Sequence, residues 1–294
     1  MLFEVYEHAL EHRDSIISKV KNAKELLDYA RSRWVEYEPV PRVEPSPRAS
    51  LLAGVDSSFN YIVYKGFYLY AIAGVSVGSD ASFITQPRME VDVANLHEDD
   101  KDLSPRNELL ARCIEVEHGL AGESMDKVAH VLIDGSLLAR FYDRRHRRVV
   151  TVYEYARELM RSSKVLFVAK SSASNTLLKG NLADIYYFSR ATLDAGYAMS
   201  IQKAGDKAGD AYITVVYARL KPCTPVIKIE VPGERSEQEV RGMLDMLCSE
   251  SISGYPYVLR LAHERCKIHN DDMLRMADIL GLGMEEGGRE VLDE

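Results

Sequence analysis

Residues Leu51-Leu52-Ala53-Gly54-Val55-Asp56-Ser57-Ser58-Phe59 form the segment from which the architecture follows. A mostly apolar run leads into the carboxylate of Asp56, two hydroxyl residues come next, and we expect the chain to turn at Asn60. An unbroken apolar run of this length is typical of a strand that is buried on both faces of a sheet. A buried carboxylate is costly unless a cation neutralises it, so the pattern predicts a functional role for Asp56. The alternative is an aspartate that only caps a turn with its side chain.

The same pattern occurs a second time, in Val128-Ala129-His130-Val131-Leu132-Ile133-Asp134-Gly135-Ser136. We expect both strands to belong to one sheet, so that the carboxylates of Asp56 and Asp134 meet at one of its edges. A third apolar run, residues 165–169, places Lys170 in the position of the two aspartates. A lysine there either binds a phosphate oxygen or pairs with a carboxylate.

The composition limits the classes of protein that fit. A chain of 294 residues can form one large domain, or one domain with an appendage. The net charge of -8 argues against non-specific coating of nucleic acid but allows a local basic groove. No apolar run reaches the roughly 20 residues of a membrane span, and the N-terminus lacks the layout of a signal peptide. The four cysteines have no metal-finger spacing and fit a reducing compartment, so we expect a cytoplasmic protein.

The N-terminal part differs in character from the rest. From about residue 3 to 37, apolar residues at helical spacing predict an amphipathic helix or a helical pair, which docks on the domain or on a second copy of the chain. Four prolines within residues 39–47 then form an extended connector. We therefore divide the chain into a helical extension with a proline-rich linker, residues 1–49, and a main domain, residues 50–294.

The main domain begins with sheet and continues with helix. Residues 51–78 predict two or three antiparallel strands with a hairpin turn at Lys65-Gly66. Residues 79–104 are polar and acidic, and we expect an irregular loop or lid there. Residues 105–121 follow as a helix.

The registry of that helix directs one carboxylate inward. Glu117 falls on the same stripe as three apolar residues, Leu110, Ile114 and Ala121, whereas Glu115 lies on a polar face. A carboxylate on an inward stripe needs a partner. The partner is either a bound cation or, at the edge of a core, an arginine.

A dense basic run follows the second strand. Within nine residues the chain has Arg140, Arg144, Arg145, His146, Arg147 and Arg148. Such a run near carboxylates suits contact with a phosphate backbone. Charge runs are also common on solvated helix faces, and both interpretations stay open here.

The C-terminal part supplies further candidate site residues. Ser236, with Glu239 three residues later, predicts a helix that begins with a capping box. The last element opens with Gly254-Tyr255-Pro256-Tyr257 and becomes a helix that carries His263, with Asp271 later in the chain.

Four positions together make an oxygen-rich set with one possible imidazole: Asp56, Glu117, Asp134 and either His263 or Asp271. Such ligands suit Mg²⁺ or Mn²⁺ better than zinc or an iron–sulfur cluster. Two such cations about 3.5–4 Å apart activate a water and stabilise the leaving oxygen in phosphodiester hydrolysis. An aspartate on the first strand, a glutamate on the helix after three strands and an aspartate ending the fourth strand resemble the ribonuclease H-like fold of nucleases. The predicted fold class is therefore α/β: a ribonuclease H-like mixed sheet flanked by helices, with an N-terminal helical extension.

Four segments resemble successive blocks of the NurA nuclease family: residues 53–58, 132–137, 169–172 and 254–264. The resemblance runs from about Leu51 to Leu280, and the last block is the most specific. It implies a Mn²⁺-dependent nuclease with 5′→3′ exonuclease activity on single- and double-stranded DNA and endonuclease activity on single strands. It also implies a homodimer that works with the hexameric HerA translocase in archaeal double-strand-break end resection.

The resemblance assigns roles residue by residue. Asp56 and Asp134 match the metal-binding aspartates, and Tyr255 and His263 match a conserved pair near the C-terminus. We expect the two aspartates and Glu117 to hold two Mn²⁺ ions. His263 then completes a metal shell or positions the attacking water, and Tyr255 binds the scissile phosphate or stacks on a base.

Some positions are matched less firmly by the resemblance. Glu117 is chosen as the helical glutamate because of its registry, but Glu115 is two residues away. The first family block often reads Asp-Gly-Ser, and Ser57 stands here in place of the glycine. Contacts with the DNA backbone are expected from five basic residues: Lys170, Arg144, Arg145, Arg147 and Arg148.

Two other classes of protein remain open. Sugar kinases and actin-like ATPases also begin with an aspartate at a first-strand turn and repeat the motif later, but this chain lacks their further glycine-rich adenosine site. Tight ATP binding would favour such a phosphotransferase. The third class is a non-catalytic adaptor of a DNA motor, against which the several strand-end carboxylates argue.

Overall fold

The computed structural model describes residues 3–21, 24–40, 52–96, 104–142, 150–204 and 211–285. The strands are β1 (Val35–Glu36), β2 (Leu52–Val63), β3 (Phe67–Gly78), β4 (Arg88–Asn95), β5 (His130–Asp134), β6 (Val165–Ala169), β7 (Gly196–Lys203), β8 (Tyr212–Arg219), β9 (Ile227–Pro232), β10 (Ser251–Ile252) and β11 (Tyr255–Pro256). The helices are α1 (Phe3–Glu11), α2 (Arg13–Lys21), α3 (Lys24–Arg33), α4 (Pro105–Met125), α5 (Leu137–Tyr142), α6 (Val150–Leu159), α7 (Asp184–Ala191), α8 (Glu237–Ser249), α9 (Tyr257–Cys266) and α10 (Asn270–Ile279). Across these described ranges, no helix is both long enough and apolar enough to cross a membrane.

One mixed sheet dominates the fold. In the described part of the chain it contains nine strands in the order β1-β7-β8-β9-β6-β5-β2-β3-β4, and β10 pairs with β11 separately. β5 runs parallel to β2 and β6, whereas β3 is antiparallel to β2 and β9 is antiparallel to β6. The predicted α/β class with a mixed sheet and flanking helices is therefore confirmed. Because β2, β5 and β6 point the same way, their carboxyl ends lie on the same side of the sheet.

The central strands are buried on both faces. Ala53 and Val55 of β2 belong to one hydrophobic core and Leu52 to another, because successive side chains of a strand point to opposite faces. Helices α4 to α7 contribute to the first core, and α8 and α9 contribute to the second. The apolar run at the start of the domain thus forms a strand covered by helices on each side.

The structure corrects two local predictions made from the sequence. The region 79–104, expected to be an irregular loop or lid, contains β4, which pairs antiparallel with β3. The predicted turn at Asn60 is also wrong. β2 continues without interruption to Val63, because β3 pairs with it along that whole length.

The end of the N-terminal extension packs on the main sheet. β1 pairs antiparallel with β7, and Trp34 lies against Phe188 of α7 with ring centroids 5.8 Å apart. Arg31 Nε donates to the carbonyl of Ala191 at 2.9 Å. By contrast, α1 has no buried residue. The division of the chain at residue 49 stays a prediction.

Candidate metal centre

Asp56 and Asp134 lie where two parallel strands separate. The pairing of β2 with β5 ends at Val55 opposite Ile133, and the next residue of each strand is one of the aspartates. Gly135 follows with φ of 107°, a left-handed conformation that glycine adopts without a steric penalty. The chain therefore turns directly after Asp134 into α5, and the structure brings the two carboxylates together beside the opening between the strands.

Helix α9 adds His263 to this pair. A Cβ atom at Gly54 would collide with the backbone of Val258, so the glycine lets the first turn of α9 lie directly on β2. His263 Nδ1 is 2.9 Å from Asp56 Oδ2. Potential ligand atoms of Asp56, Asp134 and His263 all lie within 4.8 Å of one another. That spacing suits three ligands of a single cation.

Helix α4 places Glu117 beside the same strand. Glu117 is only 7% exposed, and its Oε1 accepts a hydrogen bond of 2.7 Å from Ser57 Oγ. Its Oε2 accepts a hydrogen bond of 2.5 Å from Arg140 Nη2. A Cβ atom at Gly74 of β3 would collide with Val116, so this second glycine admits α4 to the sheet.

Glu115, the alternative helical glutamate, faces elsewhere. Its side chain is exposed and accepts a hydrogen bond of 3.1 Å from the Tyr155 hydroxyl of α6. The registry of α4 therefore directs Glu117 towards the aspartates and Glu115 towards the surface.

The carboxylates of the cluster repel one another. Burial raises the pKa of Asp56 to about 7, the charges of Glu117 and Asp134 act in the same direction, and the bond to His263 opposes them. Burial also raises the pKa of Glu117, against the opposing charge of Arg140. A divalent cation would relieve this repulsion, and carboxylate donors suit Mn²⁺ or Mg²⁺. The residues present therefore fit such an ion.

Tyr255 and Lys170 border the cluster on its other side. Lys170 Nζ is 3.6 Å from Asp134 Oδ2 and 4.5 Å from the centroid of the Tyr255 ring. Burial raises the pKa of Tyr255, and the charges of Asp134 and Asp56 raise it further. The Tyr255 hydroxyl therefore stays protonated at neutral pH and can donate a hydrogen bond.

Other candidate ligands lie apart from this cluster. Asp271, the alternative to His263, is exposed on α10. A second group with ligand atoms at metal-binding spacing, His8, Glu11 and His12, is exposed at the end of α1 and the turn that follows it. Four basic residues predicted to contact DNA lie outside the described residues: Arg144, Arg145, Arg147 and Arg148.

Arg140 belongs to the basic run in the sequence, but the structure buries its side chain. It is 4% exposed, and its guanidinium lies 4.9 Å from the centroid of the Phe167 ring while pairing with Glu117. Leu138 and Phe141, the apolar neighbours of Arg140 in the sequence, are buried as well. Their presence is the sequence signal that could have indicated that Arg140 is buried. Ser57, a departure from the family block, likewise contacts Glu117.

The fold and the cluster together define a class of protein. The mixed sheet with flanking helices makes the chain an α/β protein, and the carboxylates and the imidazole beside its parallel strands are a candidate centre for a divalent cation. The chain belongs to the NurA family, because the NurA domain model matches residues 50–268. That range contains every residue of the centre, and the resemblance found in the sequence segments is confirmed.

Known proteins resemble the chain over nearly its whole length. It is 21% identical to the DNA double-strand break repair nuclease NurA of Sulfurisphaera tokodaii, in an alignment that covers 96% of each chain. The crystal structure of the NurA nuclease from Sulfolobus solfataricus has a TM-score of 0.78 at 18% identity and covers 96% of this chain and 97% of that chain. A crystal structure of NurA bound to dAMP and manganese has a TM-score of 0.66 at 11% identity and covers 96% and 98%. These structures share the fold described above.

Proposed function

We propose that the protein is a Mn²⁺-dependent deoxyribonuclease, a 5′→3′ exonuclease on single- and double-stranded DNA and an endonuclease on single strands, with Mg²⁺ as the alternative cation. The observation that carries the proposal is the group Asp56, Asp134 and His263, whose ligand atoms lie within 4.8 Å of one another. The name of the Sulfurisphaera relative supports DNA as the substrate. A similar structure, of NurA bound to dAMP and manganese, supports a substrate that contains nucleotides and supports Mn²⁺ as the cation.

Three carboxylates would hold the cations. Asp56 and Asp134 supply ligand oxygens directly, and Glu117 supplies a third negative charge that Ser57 and Arg140 keep in a fixed orientation. Two divalent cations at such a centre activate the attacking water and stabilise the leaving oxygen of a phosphodiester. A site of this kind has to be rigid before substrate arrives, since catalysis depends on the position of the charged groups.

His263 has a position suited to two tasks. Its Nδ1 is engaged by Asp56, which leaves Nε2 as the nitrogen for a ligand bond or for proton transfer. The side chain is 50% exposed, so it faces the space that substrate would enter. In the proposed reaction, His263 either completes the ligand set or accepts a proton from the attacking water.

Lys170 and Tyr255 are proposed to bind the scissile phosphate. The Lys170 side chain is 47% exposed while its ammonium group stays near Asp134, so it can contact a phosphate oxygen without leaving the centre. The hydroxyl of Tyr255 lies in the same cluster, is protonated, and can donate a hydrogen bond to another phosphate oxygen. Arg144, Arg145, Arg147 and Arg148 are proposed to follow the DNA backbone further from the centre.

The order of β2, α4 and β5, which carry Asp56, Glu117 and Asp134, supports a ribonuclease H-like nuclease domain. We propose that the protein works as a homodimer with the HerA translocase in double-strand-break end resection, inside the cytoplasm. The N-terminal helices and the acidic C-terminal tail are the two proposed contacts with the translocase, because both lie outside the matched range.

The test is degradation of DNA labelled at the 5′ or the 3′ end, single- and double-stranded, with Mn²⁺, Mg²⁺ or EDTA. We expect cleavage that needs the cation, is lost in Asp56→Ala and Asp134→Ala, and persists in the matched control Asp271→Ala. The position of the label in the products gives the polarity. A folded Asp134→Ala protein that degrades DNA at the full rate would overturn the metal assignment. DNA left intact by the wild type in every reaction would overturn the nuclease proposal.

A further inference from the structure

Strand β9 carries a lysine and a glutamate inside the core. Lys228 and Glu230 are each 1% exposed, and Lys228 Nζ lies 2.5 Å from Glu230 Oε1. Lysine and glutamate are seldom buried so completely, and removing both charges from water is unfavourable before any attraction between them is counted. A buried ion pair is weak evidence for a role in stability, since well-packed apolar residues often replace such pairs without loss.

The remaining contacts of Glu230 lead to the metal centre. Its Oε2 accepts a hydrogen bond of 2.9 Å from the backbone N–H of Leu138, and its two oxygens lie 2.9 and 3.1 Å from Ser136 Oγ. Ser136 is the second residue after Asp134, and Leu138 belongs to the first turn of α5. One buried carboxylate therefore fixes the chain immediately beyond a metal-binding aspartate.

Helix α5 extends this effect to a second ligand. It carries Arg140, whose Nη2 bonds to Glu117 Oε2 and whose guanidinium packs against Phe167 of β6. Phe167 pairs with Glu230 across the sheet. Glu230 thus holds the start of α5, and the same short helix holds Glu117.

We infer that Glu230 is a positioning residue for the metal centre: with Lys228 as its counter-ion, it sets Asp134 and Glu117 through the first turn of α5. The inference rests on the proposed metal-dependent function. Partners behind the ligands of a metal typically change its affinity or the activity by about 10- to 100-fold when they are lost. Glu230 acts through hydrogen bonds that it accepts, so the acceptor atom matters more than the charge.

Two double variants separate the acceptor from the charge. Lys228→Met with Glu230→Gln removes the ion pair and keeps an acceptor oxygen for Leu138, whereas Lys228→Met with Glu230→Leu removes both. Mn²⁺ binding is measured from the electron paramagnetic resonance signal of free Mn²⁺, without DNA. We expect the Gln variant to bind Mn²⁺ within about threefold of wild type, and the Leu variant to bind it about 10- to 100-fold more weakly.

Controls distinguish positioning from general stability. A purely structural pair would lower the melting temperature of both double variants and leave Mn²⁺ affinity equal in them, and this result overturns the inference. If the Leu variant does not fold, Glu230→Asp replaces it, since it keeps the charge beside Lys228 but withdraws the carboxylate by one methylene. Unchanged Mn²⁺ affinity in that variant also overturns the inference.

An exposed ion pair on α8 provides the matched control for the two double variants. Arg241 Nη2 lies 2.6 Å from Glu237 Oε1 with both side chains substantially exposed, and we expect Glu237→Gln with Arg241→Met to leave Mn²⁺ binding unchanged. Because binding is measured without DNA, the two proposals fail separately. If the wild type binds Mn²⁺ but cuts no DNA, the nuclease proposal is contradicted. The Mn²⁺ affinities of the double variants still decide the role of Glu230 in that case.

Discussion

Asp56 ionises near neutral pH in the folded protein, because burial and the neighbouring carboxylates raise its pKa to about 7. In an unfolded chain the same side chain ionises near pH 4. Between these values the folded state binds more protons than the unfolded state, so this group lowers the free energy of unfolding as the pH rises from about 4 to about 7.

Asp56→Asn should therefore stabilise the protein in EDTA at pH 8 and have little effect at pH 4. The gain at pH 8 is at most a few kcal/mol, because one pKa unit corresponds to about 1.4 kcal/mol. Thermal unfolding across this range measures it. Asp80→Asn is the control, since hydrogen bonds from Ser82 lower the pKa of Asp80 and its loss should bring no gain at pH 8. An equal gain for Asp56→Asn at both pH values would contradict the prediction.

Gly54→Ala should disturb the centre from outside it. The added methyl group would meet the backbone of Val258, and overpacking of this kind costs about 1–3 kcal/mol. The displaced helix α9 would also move His263 away from Asp56. We expect a lower free energy of unfolding in urea together with weaker Mn²⁺-dependent cleavage.

The control for that substitution is Gly122→Ala on α4, where a Cβ atom would meet no neighbour. Alanine in the interior of a helix is favoured over glycine by roughly 0.5–1 kcal/mol, so this variant should gain stability and keep its activity. Gly54→Ala with wild-type stability would show that α9 does not depend on the close approach.

At the scale of secondary structure, α4 directs its two candidate glutamates, Glu115 and Glu117, to different sides of the helix. Glu117 faces the aspartates and Glu115 faces Tyr155. We predict that Glu117→Gln lowers the Mn²⁺-dependent cleavage rate on the order of 100-fold, whereas Glu115→Gln changes it less than about twofold. Initial rates on single-stranded DNA at saturating Mn²⁺ give the comparison. The opposite result would assign the helical ligand to Glu115.

The elements recovered from the sequence are those with a strong local pattern. The capping box of α8 is present in both directions between Ser236 and Glu239, and the hairpin of β2 and β3 turns at Lys65-Gly66 as expected. β4 was missed because it is the edge strand of the sheet and none of its residues is buried. Met89 and Glu90 are both exposed, so neither face of the strand is a buried face that a run of apolar residues would mark in the sequence.

In the candidate site, too, the residues with a local sequence pattern could be predicted, whereas those that depend on long-range pairing could not. Asp56 and Asp134 could be proposed from their positions after apolar runs, because parallel strands bring such positions together. Glu117 followed from helical registry. Glu230 could not be assigned a partner from the sequence, because its contact with α5 depends on β9 lying antiparallel to β6. The alternation of Lys228 and Glu230 among β-branched residues was the visible indication that both are unusual.

For the whole molecule, the N-terminal extension divides into two parts with different energetic roles. We predict that deleting residues 1–11 changes the melting temperature little, because α1 buries no side chain. Deleting residues 1–40 should lower the free energy of unfolding by more than about 3 kcal/mol, since the loss of a buried tryptophan alone costs about that much and Trp34 belongs to the main core. Thermal and urea unfolding of both deletions test this. Equal stability of the two proteins would mean that α3 and β1 contribute nothing to the core.

The bond between His263 and Asp56 joins residues 207 positions apart. Protein synthesis proceeds from the N-terminus at about 5–20 residues per second, so a nascent chain exposes its three carboxylates well before the histidine exists. The candidate centre is therefore complete only after α9 has been synthesised. A chain that ends before His263 would lack one of the three groups whose ligand atoms lie together.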